Sequence, residues 1–279
     1  MKRQPSSLPA VLIGLLIWAT PLSAQSPPKL YVFDCGRIQF DSIAVFGIQD
    51  NETDVRELIV PCFVIEHEKG RLLWNAGLSS SLAETEGWQE KDGARARLDR
   101  TLPEQLADLG LGMDDFDYAS FSHMHFDHVG AANELEGATI IMQKAEYDAA
   151  FADSVTVPGF VPASYAGLQD EEFLIIEGDH DVFGDGTVRI ISTPGHTPGH
   201  QSLFIDLPRT GPVVLSGDLY HFRLSREDRR VPGFNVDPEA TLASMDRLEN
   251  LVEETGAELW IEHELAHFDQ LEKAPGSYE

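Results

Sequence analysis

Cysteine is scarce in this chain: only Cys35 and Cys62 occur among 279 residues. Both lie beside segments that read as strands, so in an oxidising compartment they can pair, and elsewhere they can stay as two buried thiols. Neither adjoins a histidine cluster, so neither is assigned to a metal. Positive charge is also scarce, with 20 Lys and Arg against 47 Asp and Glu and a formal net charge of −27. A field of that sign repels phosphate backbones and anionic lipid, which excludes nucleic acid and a membrane surface as expected partners. The bland account of the acidity is solubility. Beyond the N-terminus no apolar run resembles a membrane span, and there is no strong internal repeat and no low-complexity linker.

The N-terminus itself carries Lys2 and Arg3, an apolar run from Leu8 to Trp18, and Leu22-Ser23-Ala24 before Gln25. This order predicts a secretory signal cleaved after Ala24, with an uncleaved anchor as the alternative, and a periplasmic or secreted product. Cleavage would carry the net charge from −27 to about −29, because two basic and no acidic residues leave. Residues 25–279 then form a single domain.

The coarse pattern is many strands with helices interspersed and no regular βαβ rhythm, which predicts packed sheets with helices outside. Leu30 to Phe33 reads as a strand, and Ile59 to Glu66 with Arg71 to Trp74 as a hairpin turning at Lys69-Gly70. Residues 77–97 are polar and Gly-containing and are expected to be loop or short helices. Thr101 to Leu109 reads as a helix, with further strands near 138–142, 172–176, 187–192, 201–206, 212–217 and 258–262. Asp237 as N-cap, Pro238 in the first turn, Leu242, Met245, Leu248 and Val252 on one face, and Gly256 as terminator predict a long final helix. The segment 151–168, rich in Pro, Gly and aromatics, reads as an ordered excursion near a site.

Chemistry concentrates in Ser122-His123-Met124-His125-Phe126-Asp127-His128. His123 and His125, two apart, project to one side of an extended backbone, while Asp127 and His128 point elsewhere. That division suits two neighbouring divalent metals with nitrogen and oxygen donors of the kind zinc takes. Further candidates stand just past apolar strands: His196 between two Pro-Gly turns, Asp218 after Val213 to Gly217, and His263 after Leu259 to Glu262.

The ordered series His123-x-His125-x-Asp127-His128, His196, Asp218, His263 resembles the ligand set of the metallo-β-lactamase superfamily, across nearly all of residues 29 to 267. The resemblance implies an αββα sandwich of two mixed sheets. By residue, it implies His123, His125 and His196 on one metal, Asp127, His128 and His263 on the second, and Asp218 bridging. Within the superfamily the stretches Leu30 to Phe33 with Cys35-Gly36-Arg37, S-H-M-H-F-D-H-V-G, T-P-G-H-T-P-G-H-Q-S-L-F and Gly217 to Tyr220 are most similar to the N-acyl homoserine lactonases.

The implied activity is opening of a lactone ring by a metal-bridging hydroxide, with Asp127 moving the proton. Tyr220 is a candidate donor to the developing oxyanion. The two ions are expected to be Zn2+, with Co2+, Mn2+ or Fe2+ fitting the same ligands. Relatives that reduce oxygen at two irons carry glutamate where His125 stands, which favours the hydrolase. A homodimer is one oligomeric option that the resemblance suggests.

Two departures from the lactonase pattern stand out. Asn75, in Trp74-Asn75-Ala76-Gly77, occupies the place of an aspartate in a D-T-G turn, which removes a buried charge supporting the site. The third position after the bridging aspartate, a substrate-facing tyrosine in better-known lactonases, is His221, with Tyr220 one residue earlier. Phe151, Phe160, Val161, Tyr165, Phe222 and Phe234 are candidates for an apolar wall around a substrate tail, and His221 is equally able to line the pocket or face solvent. His200 reads as a core or supporting histidine, and His67, His180 and His267 as surface residues. Aryl esters, organophosphates and β-lactams are the alternative substrates, and a non-catalytic metal-binding protein is the alternative of a different class.

Overall fold

The computed structural model describes residues 1, 26–91 and 93–279, so the expected signal segment, Met1 apart, lies outside the described residues. Two sheets carry the fold. Strand β1 (Lys29–Phe40) pairs antiparallel with β2 (Glu57–His67), which turns into β3 (Gly70–Trp74). Parallel strands β6 (Tyr118–Ser120), β7 (Thr139–Gln143) and β8 (Glu172–Ile176) extend that sheet on one side. Strands β4 (Gln89–Lys91) and β5 (Ala94–Arg97) extend it on the other, giving the order β4-β5-β1-β2-β3-β6-β7-β8. The second sheet runs β13-β12-β11-β10-β9, from β9 (His180–Asp181), β10 (Val188–Ser192), β11 (Gln201–Ile205), β12 (Val213–Leu215) and β13 (Glu258–Trp260).

Strand alternation explains the layers. Side chains two apart share a face, so Leu30, Val32, Phe63 and Ile65 meet Val188, Ile190, Leu203 and Leu215 from the second sheet in one buried cluster. Their neighbours Phe33, Cys35, Cys62 and Val64 face the opposite way, into a cluster with Leu102 and Leu106 of helix α1 (Leu102–Ala107). Thr101 and Glu104 form a reciprocal capping box that starts this helix. Helices α2 (Lys144–Ala150), α3 (Arg223–Glu227) and α5 (Leu265–Phe268) are short.

The long helix is α4 (Pro238–Thr255), with Asp237 accepting from the Ala240 amide and Gly256 closing it at φ 68°. Met245 and Leu248 pack on Val214 and Leu259 of the second sheet, so this helix covers the sheet's outer face. The architecture is the expected αββα sandwich. Among the described residues no helix is long and apolar enough to cross a membrane.

The expectation for residues 77–97 needs correction: after a 3-10 turn at Ser80–Glu84, the segment forms β4 and β5, and Arg37 to Phe40 of β1 pair with Arg97 to Ala94. In β5 the small side chains of Ala94 and Ala96 pack on the cluster of Ile38, Val60 and Leu78 while Arg95 and Arg97 lie over the Trp88 ring at 5.1 and 5.2 Å, so the alternation carries too little apolar surface to read as a strand. Pairing of β5 to β1, a long-range contact, and of β4 to β5 makes them strands. His67 is also corrected, from surface to buried: its ring stacks on Phe183 at 4.2 Å and its Nε2 lies 3.1 Å from Asp185.

Cys35 and Cys62 form a disulfide across β1 and β2, where the β1 register shifts between Asp34 and Arg37. It closes a loop of 27 residues directly beneath Gly77. Replacing both cysteines by serine is expected to lower unfolding free energy by about 3 kcal/mol. Denaturant titration of variant and wild type, with and without reductant, checks this; wild-type stability unmoved by reductant would contradict it.

Candidate metal centre

Four loops, each following a strand end, deliver seven polar side chains to one point. The loop after β6 brings His123, His125, Asp127 and His128, the turn after β10 brings His196, the loop after β12 brings Asp218, and the segment after β13 brings His263. Strands β12 and β13 stop at Leu215 and Trp260, shorter than their apolar runs suggest. That releases the following residues from the ladder and lets Asp218 and His263 turn inward.

The side chains fall into two groups, His123-His125-His196-Asp218 and Asp127-His128-His263, with the ligand atoms of each group within 4.8 Å of one another. In the first, His196 Nε2 stands 3.2 Å from His123 Nε2 and 3.1 Å from His125 Nδ1, and Asp218 Oδ2 lies 3.6 and 3.3 Å from the Nε2 atoms of His123 and His196. In the second, the Nε2 atoms of His128 and His263 are 3.2 Å apart, with Asp127 Oδ2 3.9 and 3.8 Å from them. Asp218 Oδ1 is 3.1 and 2.9 Å from the same two nitrogens. Metal–nitrogen bonds of about 2.0–2.1 Å in a tetrahedron set ligand atoms about 3.3–3.4 Å apart.

Asp218 Oδ1 is buried with no hydrogen bond despite those close nitrogens, which is the state of an atom whose partner is a cation. The donor set therefore fits two divalent ions sharing Asp218.

The outer ring nitrogens are held as a ligating imidazole requires. The Nδ1 atoms of His123 and His128 both lie 3.0 Å from Ser122 Oγ. His263 Nδ1 is 2.6 Å from the Ile59 carbonyl, His196 Nδ1 2.9 Å from Asn235 Oδ1, and His125 Nε2 2.8 Å from the Pro158 carbonyl. The last contact explains why His125 turns Nδ1 inward, unlike the other four histidines.

Burial and then the neighbouring imidazoles hold His123 and His125 well below the usual histidine range, so each is neutral and offers a lone pair. Burial works against ionisation of Asp218, but His263, His221, His128 and His123 outweigh it and keep its carboxyl well below the usual range. Gly217, at φ 53°, is required here: a Cβ would sit 2.6 Å from His200 Nε2 and 2.8 Å from Ser122 Cβ.

His200 supports rather than ligates, accepting the Asp218 amide at 2.9 Å while its Nδ1 faces the Thr193 carbonyl. Glu146 of α2 gave no sequence signal, yet its buried carboxylate accepts from the Met124 and Gly199 amides and the Thr197 hydroxyl. It ties the histidine loop to the Pro-Gly-His turn. Nothing in the sequence marks it, since the contacts span 22 to 53 residues.

Beside the ligands lies a mainly apolar cavity of about 270 Å³, with Asp127, Asp218, His221 and His263 at its polar end. Of the residues expected to wall a pocket, Phe234 and His221 line it. Phe160 packs its ring 5.7 Å from His125, and Phe222 sits behind Phe46 at 5.2 Å. Phe151 and Tyr165 are corrected: they pack on each other at 5.5 Å in the core under β7 and β8, with the Tyr165 hydroxyl on the Ala150 carbonyl. Val161 is exposed and does not line the cavity. Ile38, Phe40, Phe46, Leu58 and Phe126, none singled out from the sequence, supply most of the wall.

Tyr220 is also corrected. Its hydroxyl donates to Glu249 of α4 at 3.0 Å, and its ring lies in the cluster under that helix, facing away from the ligands. His221 takes the inward position: its Nε2 is 2.9 Å from Asp218 Oδ2, its ring is 4.8 Å from Phe46, and its Nδ1 is buried without a hydrogen bond.

Comparison with known proteins agrees with this geometry. The metallo-beta-lactamase superfamily profile matches residues 55–255, and the chain belongs to that superfamily. It is 31% identical over 261 residues to the N-acyl homoserine lactonase AttM of Azorhizobium caulinodans, covering 90% of this chain and 98% of that one. It is likewise 31% identical to the N-acyl homoserine lactonase AiiA of Bacillus thuringiensis subsp. kurstaki, over 85% of this chain and 93% of that one. Among solved structures, an N-acyl homoserine lactone hydrolase with N-hexanoyl-L-homoserine at its catalytic metal centre aligns over 90% of this chain and 98% of its own, with TM-score 0.76 and 28% identity. Within the superfamily the chain is a metal-dependent hydrolase, related to proteins named N-acyl homoserine lactonases.

Ser122→Ala is expected to weaken metal retention 10- to 100-fold, and Asp218→Ala to abolish retention of both ions. Chelator competition followed by metal analysis reads both; retention equal to wild type in either variant would overturn the ligand arrangement.

Proposed function

We propose that the protein is a dinuclear zinc hydrolase that opens the lactone ring of N-acyl homoserine lactones, exported and active as the domain 25–279. The observation that carries this reading is the juxtaposition of a mainly apolar cavity of about 270 Å³ with the clustered ligands. A polar ring can sit at the ligands while an acyl chain lies along the apolar wall formed by Ile38, Phe40, Phe46 and Phe234. The names of the relatives point to the same substrate class.

Two ions held by these side chains would supply, when bound, a water ionised near neutral pH and an electrophile for the lactone carbonyl. The chain's own groups do the rest. Asp127, at the cavity wall with its side chain 11% exposed, is placed to take the nucleophile's proton on a carboxylate oxygen and pass it to the departing ring oxygen. The ester C–O bond breaks as the new C–O bond forms, and the product is a hydroxy acid. The apolar wall excludes water around the acyl chain and orients the ring. The Cys35–Cys62 disulfide supports export, since such bonds persist in oxidising compartments.

Metal-loaded protein is expected to acidify a weakly buffered solution of a long-chain acyl homoserine lactone, and to act far more slowly on a β-lactam or a paraoxon-like ester. Turnover of the phosphate ester without turnover of lactones would sink the reading. Phe234→Ala should raise KM about tenfold for a long acyl chain and change it little for a short one, the loss of one buried aromatic contact. Asp127→Asn should retain metal yet slow turnover by 10²-fold or more.

A further inference from the structure

The expected loss of a supporting charge at position 75 is not what the structure contains: the carboxylate stands across the cleft, on Glu262. Both residues are buried, Asn75 fully and Glu262 at 3% exposure. Glu262 accepts three N–H groups and donates none. Its Oε1 takes the Trp74 indole at 3.1 Å and the Gly217 amide at 3.0 Å, and its Oε2 takes the Asn75 amide at 2.7 Å. Asn75 in turn accepts the Ser122 amide on Oδ1 at 2.8 Å, and its own backbone N–H donates to the Ser120 carbonyl at 3.0 Å. Its φ of 61° places it in the left-handed region, which asparagine tolerates better than most residues.

These two side chains therefore join three ligand-bearing segments. Ser122 precedes His123, Gly217 precedes Asp218, and Glu262 precedes His263. The next residue continues the link, as the Ala76 amide donates to the His128 carbonyl at 2.7 Å.

We infer that Asn75 and Glu262 form a buried amide–carboxylate clasp that sets the spacing of the two metal positions, as positioning residues that do not touch substrate. The directions of its hydrogen bonds make the pair interdependent. An Asn75→Asp substitution keeps the Ser122 contact but turns a second carboxylate oxygen onto Glu262 Oε2, a buried like-charge contact that repels unless the pair takes up a proton. A Glu262→Gln substitution fails in either amide orientation: one opposes the Asn75 NH₂, the other opposes the Trp74 and Gly217 donors. In the double exchange every contact has a donor and an acceptor again. The amide at 262 keeps an oxygen for Trp74 and Gly217 and donates its NH₂ to the carboxylate at 75, which still accepts Ser122.

The inference rests on the seven side chains holding metal, so the experiment reads metal first. Wild type, Asn75→Asp, Glu262→Gln and the double exchange are loaded with Co2+, and affinity is measured by chelator competition alongside the visible cobalt spectrum and a far-UV check of folding. Each single variant is expected to bind cobalt 10- to 100-fold more weakly with an altered spectrum, and the double exchange to return within a few-fold of wild type with the wild-type spectrum. Wild-type affinity in both singles, or a double exchange no better than the worse single, overturns the clasp. Failure of wild type itself to bind two cobalt ions would instead overturn the metal reading. If a single variant does not fold, the double exchange alone decides, because only complementarity between the two positions can restore it.

Discussion

Everything around the centre depends on the burial of one carboxylate among imidazoles. Asp218 is 3% exposed and lies within 3.6 Å of His123, His128, His196, His221 and His263. Removing that many polar groups from water is costly unless each finds a partner. The outer nitrogens of the five candidate ligand histidines face Ser122, Asn235 and backbone carbonyls, the His221 Nδ1 alone among these rings is left without a hydrogen bond, and the inner atoms converge where ions would sit. His200 and Gly217 then have no freedom, because one holds the Asp218 amide and the other leaves it room.

The sandwich serves this arrangement through its edges. Strands β6, β10, β12 and β13 end at one rim, and the ligands stand on the loops that leave them, backed by two rigid sheets. Buried carboxylates do the stapling. Glu146 binds the histidine loop to the turn carrying His196, and Glu262 binds the Asp218 loop to the turn at Asn75. Each accepts three donors, which compensates for burying a group that would otherwise remain in water. Burial pushes both carboxyls upward, and the donors oppose it.

Most of the cavity's apolar wall comes from outside the ligand loops. Its wall draws on the end of β1, on Phe46 in the short 3-10 turn after it, and on Phe234 from the segment before α4. These parts lie almost 200 residues apart, and nothing but packing brings them together. The apolar wall is therefore largely separable from the ligand set, with Phe126 the exception that stands on the histidine loop itself.

Local rules read directly from the sequence where neighbours in the chain decide the outcome. The cap and terminator of α4, the hairpin turning at Gly70, and the pairing of His123 with His125 all depend on residues a few positions apart. The seven ligand candidates were legible for the same reason, each being a polar residue just past an apolar strand. What lay beyond the sequence were contacts across the fold. The strand character of 89–91 and 94–97 comes from the pairing of β5 with β1 and of β4 with β5. Tyr220 turns to Glu249 because it is extended, at φ −136° and ψ 130°, just after the 3-10 turn, and successive side chains of an extended backbone point opposite ways, leaving His221 facing inward. The charge missing at Asn75 reappears at Glu262, 187 residues away. Sequence alone determined which chemistry the chain can perform, since donor atoms and their spacing are local. Only the tertiary structure decided which groups face it, because burial and hydrogen-bond direction are settled by partners distant in the chain.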